Sequence, residues 1–164
     1  MKLLIIRHAI AVPRGDAGFT DSERPLTDRG AARFREAAAG LVAILPPPSA
    51  ILTSPWKRAL QTAGIASEAW GGPAPETAAC LAEWNVAALG KRLAPFGGDD
   101  TVAIVGHEPD LSSLLAALVA SPDRDRFAFR KGGAALLDLP GALKEGGMLL
   151  WHLPPRILRR LSRA

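Results

Sequence analysis

The chain opens with M-K-L-L-I-I-R-H-A (residues 1–9), and this stretch predicts the fold. Four consecutive aliphatic residues, Leu3 to Ile6, are typical of a strand that is buried on both faces, as in the parallel sheets of α/β proteins. The strand stops at two ionisable residues, Arg7 and His8. Because ligands bind at the carboxyl ends of strands in such sheets, the pair is a candidate for a functional site.

Strands and helices alternate along the rest of the chain. After a loop from Ile10 to Arg24, the expected elements are a helix at 28–45, a strand at 49–53, a helix at 56–70, a short strand at 78–81, a weaker helix at 86–93, a strand at 101–105, a helix at 109–120, and strands at 132–139 and 148–153. This order predicts an α/β fold of three layers, with a mostly parallel central sheet and helices on both faces. The short connection at 140–147 predicts an antiparallel hairpin at the C-terminal edge, and residues 1–164 are expected to form one domain.

Capping residues delimit the first two helices. Thr27 is a good N-cap for the first helix, and Pro46-Pro47-Pro48 ends it. Ser54 and Pro55 are interpreted as the N-cap and first residue of the second helix. The apolar face expected on the first helix consists of Ala31, Phe34, Ala38, Leu41 and Leu45.

Composition narrows the range of functions. The 164 residues are 48% hydrophobic and 22% charged, which is typical of a globular domain with a real core. The formal net charge of +4 favours anionic ligands, but aromatic residues are only 5% of the chain, which argues against a nucleic-acid surface. The arginines are spread along the chain except in the tail R-I-L-R-R-L-S-R-A (residues 156–164), which we interpret as a solvated end.

Cysteine usage and hydropathy predict a cytoplasmic location. The single cysteine, Cys80, excludes an internal disulfide, fits a reducing compartment, and is interpreted as a small core residue. No targeting segment or apolar run of membrane-spanning length is visible, so no membrane association is expected.

Three predicted strands end in polar groups: Arg7-His8, Thr53-Ser54 and His107. In a parallel sheet these ends lie on one edge, and Arg58, on the first turn of the next helix, points back toward it. Two arginines, two histidines and helix N-termini suit a tetrahedral dianion such as phosphate. A neutral imidazole near pH 7 is also a competent nucleophile for phosphoryl transfer.

Four motifs carry a family resemblance: R-H-A (7–9), R-P-L-T-D-R-G (24–30), S-P-W-K-R-A-L-Q-T-A (54–63) and V-G-H-E-P (105–109). Together they resemble the histidine phosphatase superfamily, also called phosphoglycerate-mutase-like, and R-P-L-T-D-R-G resembles its small bacterial phosphohistidine phosphatase branch. The resemblance implies that His8 is the nucleophile and that Arg7, His8, Arg58 and His107 bind the phosphoryl group. It also implies a proton donor at Glu83, in L-A-E-W.

The sequence departs from the family pattern just after the nucleophile. Ala9 stands where glycine is usual, and Ala11 and Arg14 stand where many members place Thr and Asn. These changes weaken a mutase interpretation and fit the phosphohistidine branch better. The region 71–100 is also too short for the insertion that covers the pocket in mutase-like members, so we expect an open, shallow pocket.

Several alternatives stay open. Asp16, Asp21 or Glu108 could serve as proton donor instead of Glu83. No zinc-ligand spacing is present among only three histidines, so neither a metal nor another cofactor is expected. His152 and the tryptophans Trp56, Trp70, Trp84 and Trp151 are interpreted as structural residues.

The predicted function is that of a metal-independent phosphatase with a phosphohistidine enzyme intermediate, acting on phosphohistidine in proteins. The alternatives are a phosphatase of small phosphate monoesters and a phosphate-binding domain without catalysis.

Overall fold

Alternating strands and helices form a six-stranded mixed sheet with helices on both faces in the computed structural model, which describes residues 1–15 and 18–163. The strands are β1 (Lys2–Arg7), β2 (Ala50–Thr53), β3 (Glu76–Thr77), β4 (Thr101–Gly106), β5 (Ala134–Asp138) and β6 (Met148–Leu153). The helices are α1 (Asp28–Ile44), α2 (Lys57–Trp70), α3 (Val86–Leu93), α4 (Asp110–Leu118) and α5 (Pro155–Leu161). Short 3₁₀ turns lie at Ala79–Leu81, Arg124–Phe127 and Leu143–Glu145.

The strand order β3-β2-β4-β1-β5-β6 confirms the predicted α/β sheet. Strands β3, β2, β4 and β1 run parallel, β5 pairs antiparallel with β1, and β6 pairs antiparallel with β5 to form the edge hairpin. The register places Arg7 opposite Gly106 and Thr53 opposite Val105. The residues that follow these strands, His8, Ser54 and His107, therefore leave the sheet at one edge.

Two hydrophobic cores fill the spaces between the sheet and its helices. On one face, Leu4 and Ile6 of β1 pack in a cluster with residues of α1, α2 and α5, and Phe34 of α1 is only 2% exposed. On the other face, Leu3 and Ile5 pack in a cluster with residues of α3 and α4. The burial of β1 on both faces explains its uninterrupted aliphatic run.

The first helix forms as its sequence signals predict. The Thr27 side chain accepts a hydrogen bond from the Gly30 amide at 2.9 Å, which caps the helix N-terminus. Of the predicted apolar face, Phe34, Ala38 and Leu41 are buried, while Ala31 and Leu45 are partly buried against the same core.

The start of α2 differs from the prediction. The Ser54 amide still donates to the Val105 carbonyl at 3.0 Å, so the chain stays extended through Ser54. The helix begins at Lys57 with Trp56 as N-cap, and Ser54 Oγ accepts from the Trp56 amide at 3.3 Å. Ser54 therefore belongs to the sheet edge, where its hydroxyl is available to the site.

The predicted strand at 78–81 is wrong. The Ala78 amide donates to the Thr53 carbonyl at 2.8 Å, and β2 ends at Thr53, so no ladder partner remains beyond that point. The apolar residues that follow form a 3₁₀ turn, which places Leu81 in the core at 1% exposure. Only the two residues of β3, immediately before, pair with the sheet.

Most of the described C-terminal tail lies in the packed helix α5, which corrects its interpretation as a solvated end. Leu158 of α5 is fully buried in the same core as Phe34. The α1 backbone approaches α5 so closely at Gly40 that a Cβ there would collide with the Leu158 carbonyl. Among the described residues, no helix has both the length and the apolar character needed to span a membrane.

Candidate active site

His8 is held in one tautomer by its two neighbours. Its Nδ1 lies 2.7 Å from the Ala9 carbonyl oxygen, which can only accept, so Nδ1 carries the proton. Its Nε2 lies 3.2 Å from Arg58 Nε, which can only donate, so Nε2 carries the lone pair. The residue is 6% exposed. The site thus contains a neutral imidazole whose lone pair is on Nε2, where it accepts from Arg58.

Arg58 connects the nucleophile position to the loop before α1. As predicted, it lies on the first turn of α2, and its side chain reaches back to the sheet edge, where it is 2% exposed. Its Nη1 donates to the Asp21 carbonyl, and its Nη2 lies 3.6 Å from the Asp21 carboxylate. The guanidinium is therefore fixed on two sides, by His8 and by Asp21.

His107 lies beside His8 at the same edge. The centroids of the two imidazole rings are 5.1 Å apart, and His107 Nε2 lies 2.8 Å from Ser54 Oγ. The Trp56 ring packs on His107 with the centroids 4.5 Å apart and also lies under the Arg58 guanidinium at 4.4 Å. Trp56 is thus a packing residue, as predicted, but its packing is against the site itself.

Arg7 is positioned through a backbone link that the sequence does not reveal. Its Nη1 donates to the Phe129 carbonyl, and the Phe129 amide donates to the Glu108 carboxylate. The other carboxylate oxygen of Glu108 accepts from the Ser112 hydroxyl at 2.6 Å. Glu108, directly after His107, therefore holds the segment against which Arg7 rests.

Two buried polar atoms among the described residues have no hydrogen-bond partner: Arg7 Nε and His107 Nδ1. Burial of an unpaired polar group is costly, and such groups are rare in folded proteins. Both belong to residues at the sheet edge that also contains His8 and Arg58. An oxyanion bound at this edge would supply the missing acceptors, with His107 Nδ1 protonated.

Burial and neighbouring cations keep both histidines neutral. Burial lowers the pKa of His8 to about 3; the bond to the Ala9 carbonyl opposes this shift, and His107, Arg58 and Arg7 add to it. Burial and the charge of Arg58 likewise lower the pKa of His107 to about 3. Burial lowers the pKa of Arg58 to about 10, so this guanidinium stays charged near neutral pH.

Two further residues of S-P-W-K-R-A-L-Q-T-A (54–63), Gln61 and Thr62, make a second layer of contacts around the site. Thr62 is fully buried, and its Oγ1 accepts from the Ala9 amide at 3.0 Å while donating to the Arg58 carbonyl at 2.7 Å. Gln61 accepts from the Leu26 amide at 2.7 Å. These bonds join α2 to the chain on either side of the loop that follows His8.

Arg24 and Asp21 were not predicted to be structural parts of the site. Arg24 is 7% exposed and donates from Nε to Asp21 at 2.8 Å and from Nη1 to the Val12 carbonyl at 2.6 Å. Arg14, one of the departures from the family pattern, also pairs with Asp21 at 3.1 Å. The signal that could have found this cluster is the charge-rich loop at 10–24, but the pairing depends on its folded path.

The candidate proton donors differ in their placement. Glu83 is exposed in the turn after the 3₁₀ segment Ala79–Leu81, and among the described residues no hydrogen bond joins its carboxylate to another group. Burial raises the pKa of Asp21, but hydrogen bonds from Arg24 and Arg14 outweigh this effect and lower it, so Asp21 remains a carboxylate. Glu108 is used as an acceptor by Phe129 and Ser112, and Asp16 lies outside the described residues.

Other predicted side chains lie away from this edge or in packing positions. His152 packs on Phe129 with ring centroids 4.5 Å apart, and burial lowers its pKa. Burial raises the pKa of the Cys80 thiol, which disfavours a reactive thiolate. Among the described residues, no cluster of three His, Cys, Asp or Glu side chains is arranged to hold a metal ion.

The parallel strand ends and the first turn of α2 thus gather two histidines and two arginines at one edge of a mixed α/β sheet. Residues 3–93 match the family model of the histidine phosphatase superfamily (branch 1), and the chain belongs to this superfamily. Within it, the chain is SixA-like.

A curated relative and two solved structures are similar over most of the chain. An uncharacterized protein of Picosynechococcus sp. is 35% identical over 138 residues, which are 81% of this chain and 82% of the relative. The protein histidine phosphatase SixA, complexed with tungstate, is 25% identical with a TM-score of 0.81 over 96% of this chain and 99% of that chain. The SixA protein from Nakamurella multipartitia is 27% identical with a TM-score of 0.76, covering 94% and 95%.

Proposed function

We propose that the protein is a metal-independent phosphatase that works through a phosphohistidine intermediate on His8 and acts on phosphohistidine in proteins. The observation that carries the proposal is the fixed tautomer of His8, whose Nε2 lone pair lies beside Arg58. Membership of the histidine phosphatase superfamily supports a hydrolase with a phosphorylated substrate.

In the first step, the phosphoryl group binds among Arg7, Arg58 and His107. Arg58 gives up its bond to His8 Nε2 as the substrate arrives, and its N–H groups turn to the phosphoryl oxygens. The buried Arg7 Nε and His107 Nδ1 then gain the partners that they lack. The tungstate complex of the similar SixA supports such an oxyanion site, because tungstate is a tetrahedral oxyanion.

The covalent step exchanges one bond to phosphorus for another. His8 Nε2 attacks the phosphorus atom, the bond from phosphorus to the leaving group breaks, and the leaving group takes a proton from an acid, for which Glu83 is our candidate. Water then attacks the phosphorus of phospho-His8 and gives a proton to the carboxylate left by the first step, which releases inorganic phosphate and restores both the neutral imidazole and the acid. Arginine N–H groups stabilise the charge on the phosphoryl oxygens in both steps.

The short segment between α2 and β4 supports a protein substrate. Part of it forms β3, the 3₁₀ turn and α3, and Leu81, Leu89 and Leu93 are buried in the core against one face of the sheet. The described residues that remain form connections of at most seven residues, which are too short for a large cover over the site. An open site leaves few contacts to a small ester beyond the phosphate, but it admits a side chain presented by a folded surface.

The leaving group supports the same substrate. A phosphorus–nitrogen bond to imidazole needs less help from an acid than an ester bond does. The exposed position of Glu83, without a fixed partner among the described residues, suits such an undemanding leaving group. The similarity to a protein histidine phosphatase agrees with this choice.

The test compares kcat/KM for a histidine-phosphorylated protein with kcat/KM for a panel of phosphate monoesters, all in the presence of a metal chelator. We expect the phosphohistidine protein to be preferred by more than about tenfold, equivalent to roughly 1.4 kcal/mol of transition-state binding. A small ester that is preferred by that margin would replace the protein substrate. Activity restored only by one added metal would contradict the metal-independent mechanism.

A further inference from the structure

A cleft lined by five cationic side chains opens beside the candidate active site. It lies between α1, the turn at 130–132 and the start of α5, and its volume is about 640 Å³. The cations, which define what we call the basic cleft, are Arg33, Arg130, Lys131, Arg156 and Arg159. None of the described residues that line it is acidic.

Most of this positive charge is not neutralised within the described part of the chain. Arg159 lies 3.8 Å from Glu36, but no ion pair there involves the other four cations. Like charges held together repel one another, so the arrangement gains from an anionic partner. The cleft is therefore electrostatically prepared for a ligand with several negative charges.

The cleft is continuous with the site of phosphoryl transfer. Ala9, next to His8, lines the cleft, and the Gly132 amide donates to the carbonyls of both Arg7 and His8 at 3.1 Å. Gly132 has φ +77°, a left-handed conformation that favours glycine and forms this tight turn. The turn thus fixes the two preceding cations, Arg130 and Lys131, at the border between the cleft and the site.

The cations of the site act on the pKa of Lys131. Burial lowers its pKa, and repulsion from Arg7, Arg24 and Arg58 lowers it further. The positive charges of the cleft and those of the phosphoryl site therefore interact with one another. A ligand bound in the cleft would lie next to a phosphoryl group bound at His8.

The shape of the cleft fits a surface better than a single small anion. Its α1 wall extends from Gly30 to Ala37, which is about 10 Å along the helix. Phe34, Pro154 and Pro155 add an apolar lining of restricted mobility. Cations on both sides of an extended apolar floor suit a row of carboxylates carried by a folded partner.

We propose that the basic cleft binds an acidic surface of the protein that carries the phosphohistidine, adjacent to the phosphorylated side chain. The inference rests on the proposed function and deepens it, because it gives the substrate protein a stated chemistry. The cleft would speed productive encounter and hold the partner while its phosphohistidine reaches His8.

The test uses two substrates: a phosphotransfer domain with acidic residues around its phosphohistidine, and free phosphohistidine. The cleft variant is Arg33→Glu/Arg156→Glu. Its matched control is Lys91→Glu/Lys144→Glu, two exposed cations of a groove that includes Met1, at the opposite end of β1 from His8. Each double variant lowers the formal net charge from +4 to 0.

We expect the cleft variant to lose at least about tenfold in kcat/KM for the phosphorylated domain at low salt, mainly in the association step. It should keep kcat/KM for free phosphohistidine within about twofold, which also shows that it folds. The control variant should stay within about threefold on both substrates. Raising the ionic strength should reduce the difference in kcat/KM between the wild-type protein and the cleft variant on the phosphorylated domain.

Two results would overturn the inference. One is an equal loss of kcat/KM for the phosphorylated domain in the cleft and control variants. The other is an unchanged kcat/KM of the cleft variant, and of the milder Arg33→Gln/Arg156→Gln, on the phosphorylated domain. Failure of the proposed function has a different signature, because the wild-type protein itself would then hydrolyse free phosphohistidine or a small ester better than the domain.

Discussion

The Nε–H group of Arg58 donates a hydrogen bond to Nε2 of His8 across 3.2 Å. This contact places the Arg58 guanidinium beside the proposed nucleophilic atom of His8. Because the Ala9 carbonyl holds the proton of His8 on Nδ1, Nε2 is the ring nitrogen that carries the lone pair. The same guanidinium must later bind the phosphoryl oxygens, so its planar geometry matters as much as its charge.

Replacing Arg58 by lysine tests this double role. Arg58→Lys keeps a positive charge but loses the planar set of donors, so we expect kcat to fall about 100-fold, as for the loss of one oxyanion donor. The matched control is Arg92→Lys, whose partner Glu76 lies on β3 and whose side chain is 45% exposed. Steady-state kinetics with a phosphohistidine substrate would measure both. Wild-type kinetics for Arg58→Lys would place Arg58 outside the site.

Glu108 is expected to act as a positioning residue for Arg7. Glu108→Gln removes the charge that strengthens the hydrogen bond from the Phe129 amide. The Phe129 carbonyl in turn accepts a hydrogen bond from Arg7. We expect a loss of about tenfold in kcat/KM, roughly 1.4 kcal/mol, together with weaker inhibition by inorganic phosphate. Ser112→Ala, which removes a Glu108 contact without touching Phe129, is the control. A purely structural role would lower the melting temperature and leave phosphate inhibition unchanged.

The low pKa values of His8 and His107 predict how stability depends on pH. Burial first, and nearby cations second, hold both pKa values at about 3 in the folded chain, against about 6.5 in the unfolded chain. Below about pH 6.5 the unfolded chain therefore binds more protons at these residues, so the free energy of unfolding falls as pH falls toward 3.

Chemical denaturation at several pH values checks this expectation. Between pH 7 and 5, the wild-type protein should lose stability more steeply than His8→Gln/His107→Gln, in which these two titrations are absent. His152, whose pKa is also lowered, is present in both proteins and does not affect the difference. The neutral state of His8 and His107 would be contradicted if the free energy of unfolding fell equally steeply with pH in both proteins, or if it rose toward acid in the wild type.

The basic C-terminal segment should contribute substantially to stability through α5. Leu158→Ala removes a fully buried side chain from the core shared with α1, so we expect a loss of about 2–5 kcal/mol in the free energy of unfolding. Met148→Ala is the control, because Met148 is 61% exposed. Urea denaturation would measure both variants. A loss below about 0.5 kcal/mol for Leu158→Ala would show that α5 does not pack as described.

The sequence predicted the strand ends because local patterns determine them. The aliphatic run before Arg7-His8 and the N-terminal position of Arg58 in a helix are local signals, and the sheet then brings them together. The segment at 78–81 misled because a short apolar run does not distinguish a strand from a buried turn. The tail carried a usable signal in Ile157, Leu158 and Leu161, whose spacing is helical, but its charge dominated the interpretation.

The parts that could not be predicted depend on contacts between distant segments. Asp21 reaches Arg58 across 37 positions, and Glu108 reaches Phe129 across 21. Neither pairing has a spacing rule, since each arises only after the loop at 10–24 or the segment before β5 has folded onto the sheet edge. The basic cleft is of the same kind, because its cations come from three separate stretches of chain.

The central claim is that phosphate is transferred to Nε2 of His8, and trapping the phosphoenzyme tests it most directly. The protein is mixed with a phosphorus-labelled phosphohistidine protein and quenched in base, where phosphohistidine survives, and the labelled residue and ring nitrogen are then mapped. We predict label on His8 alone, at Nε2, and none in His8→Gln. Label on His107, on Ser54 or on Nδ1 of His8, or a wild-type level of label in His8→Gln, would contradict the account.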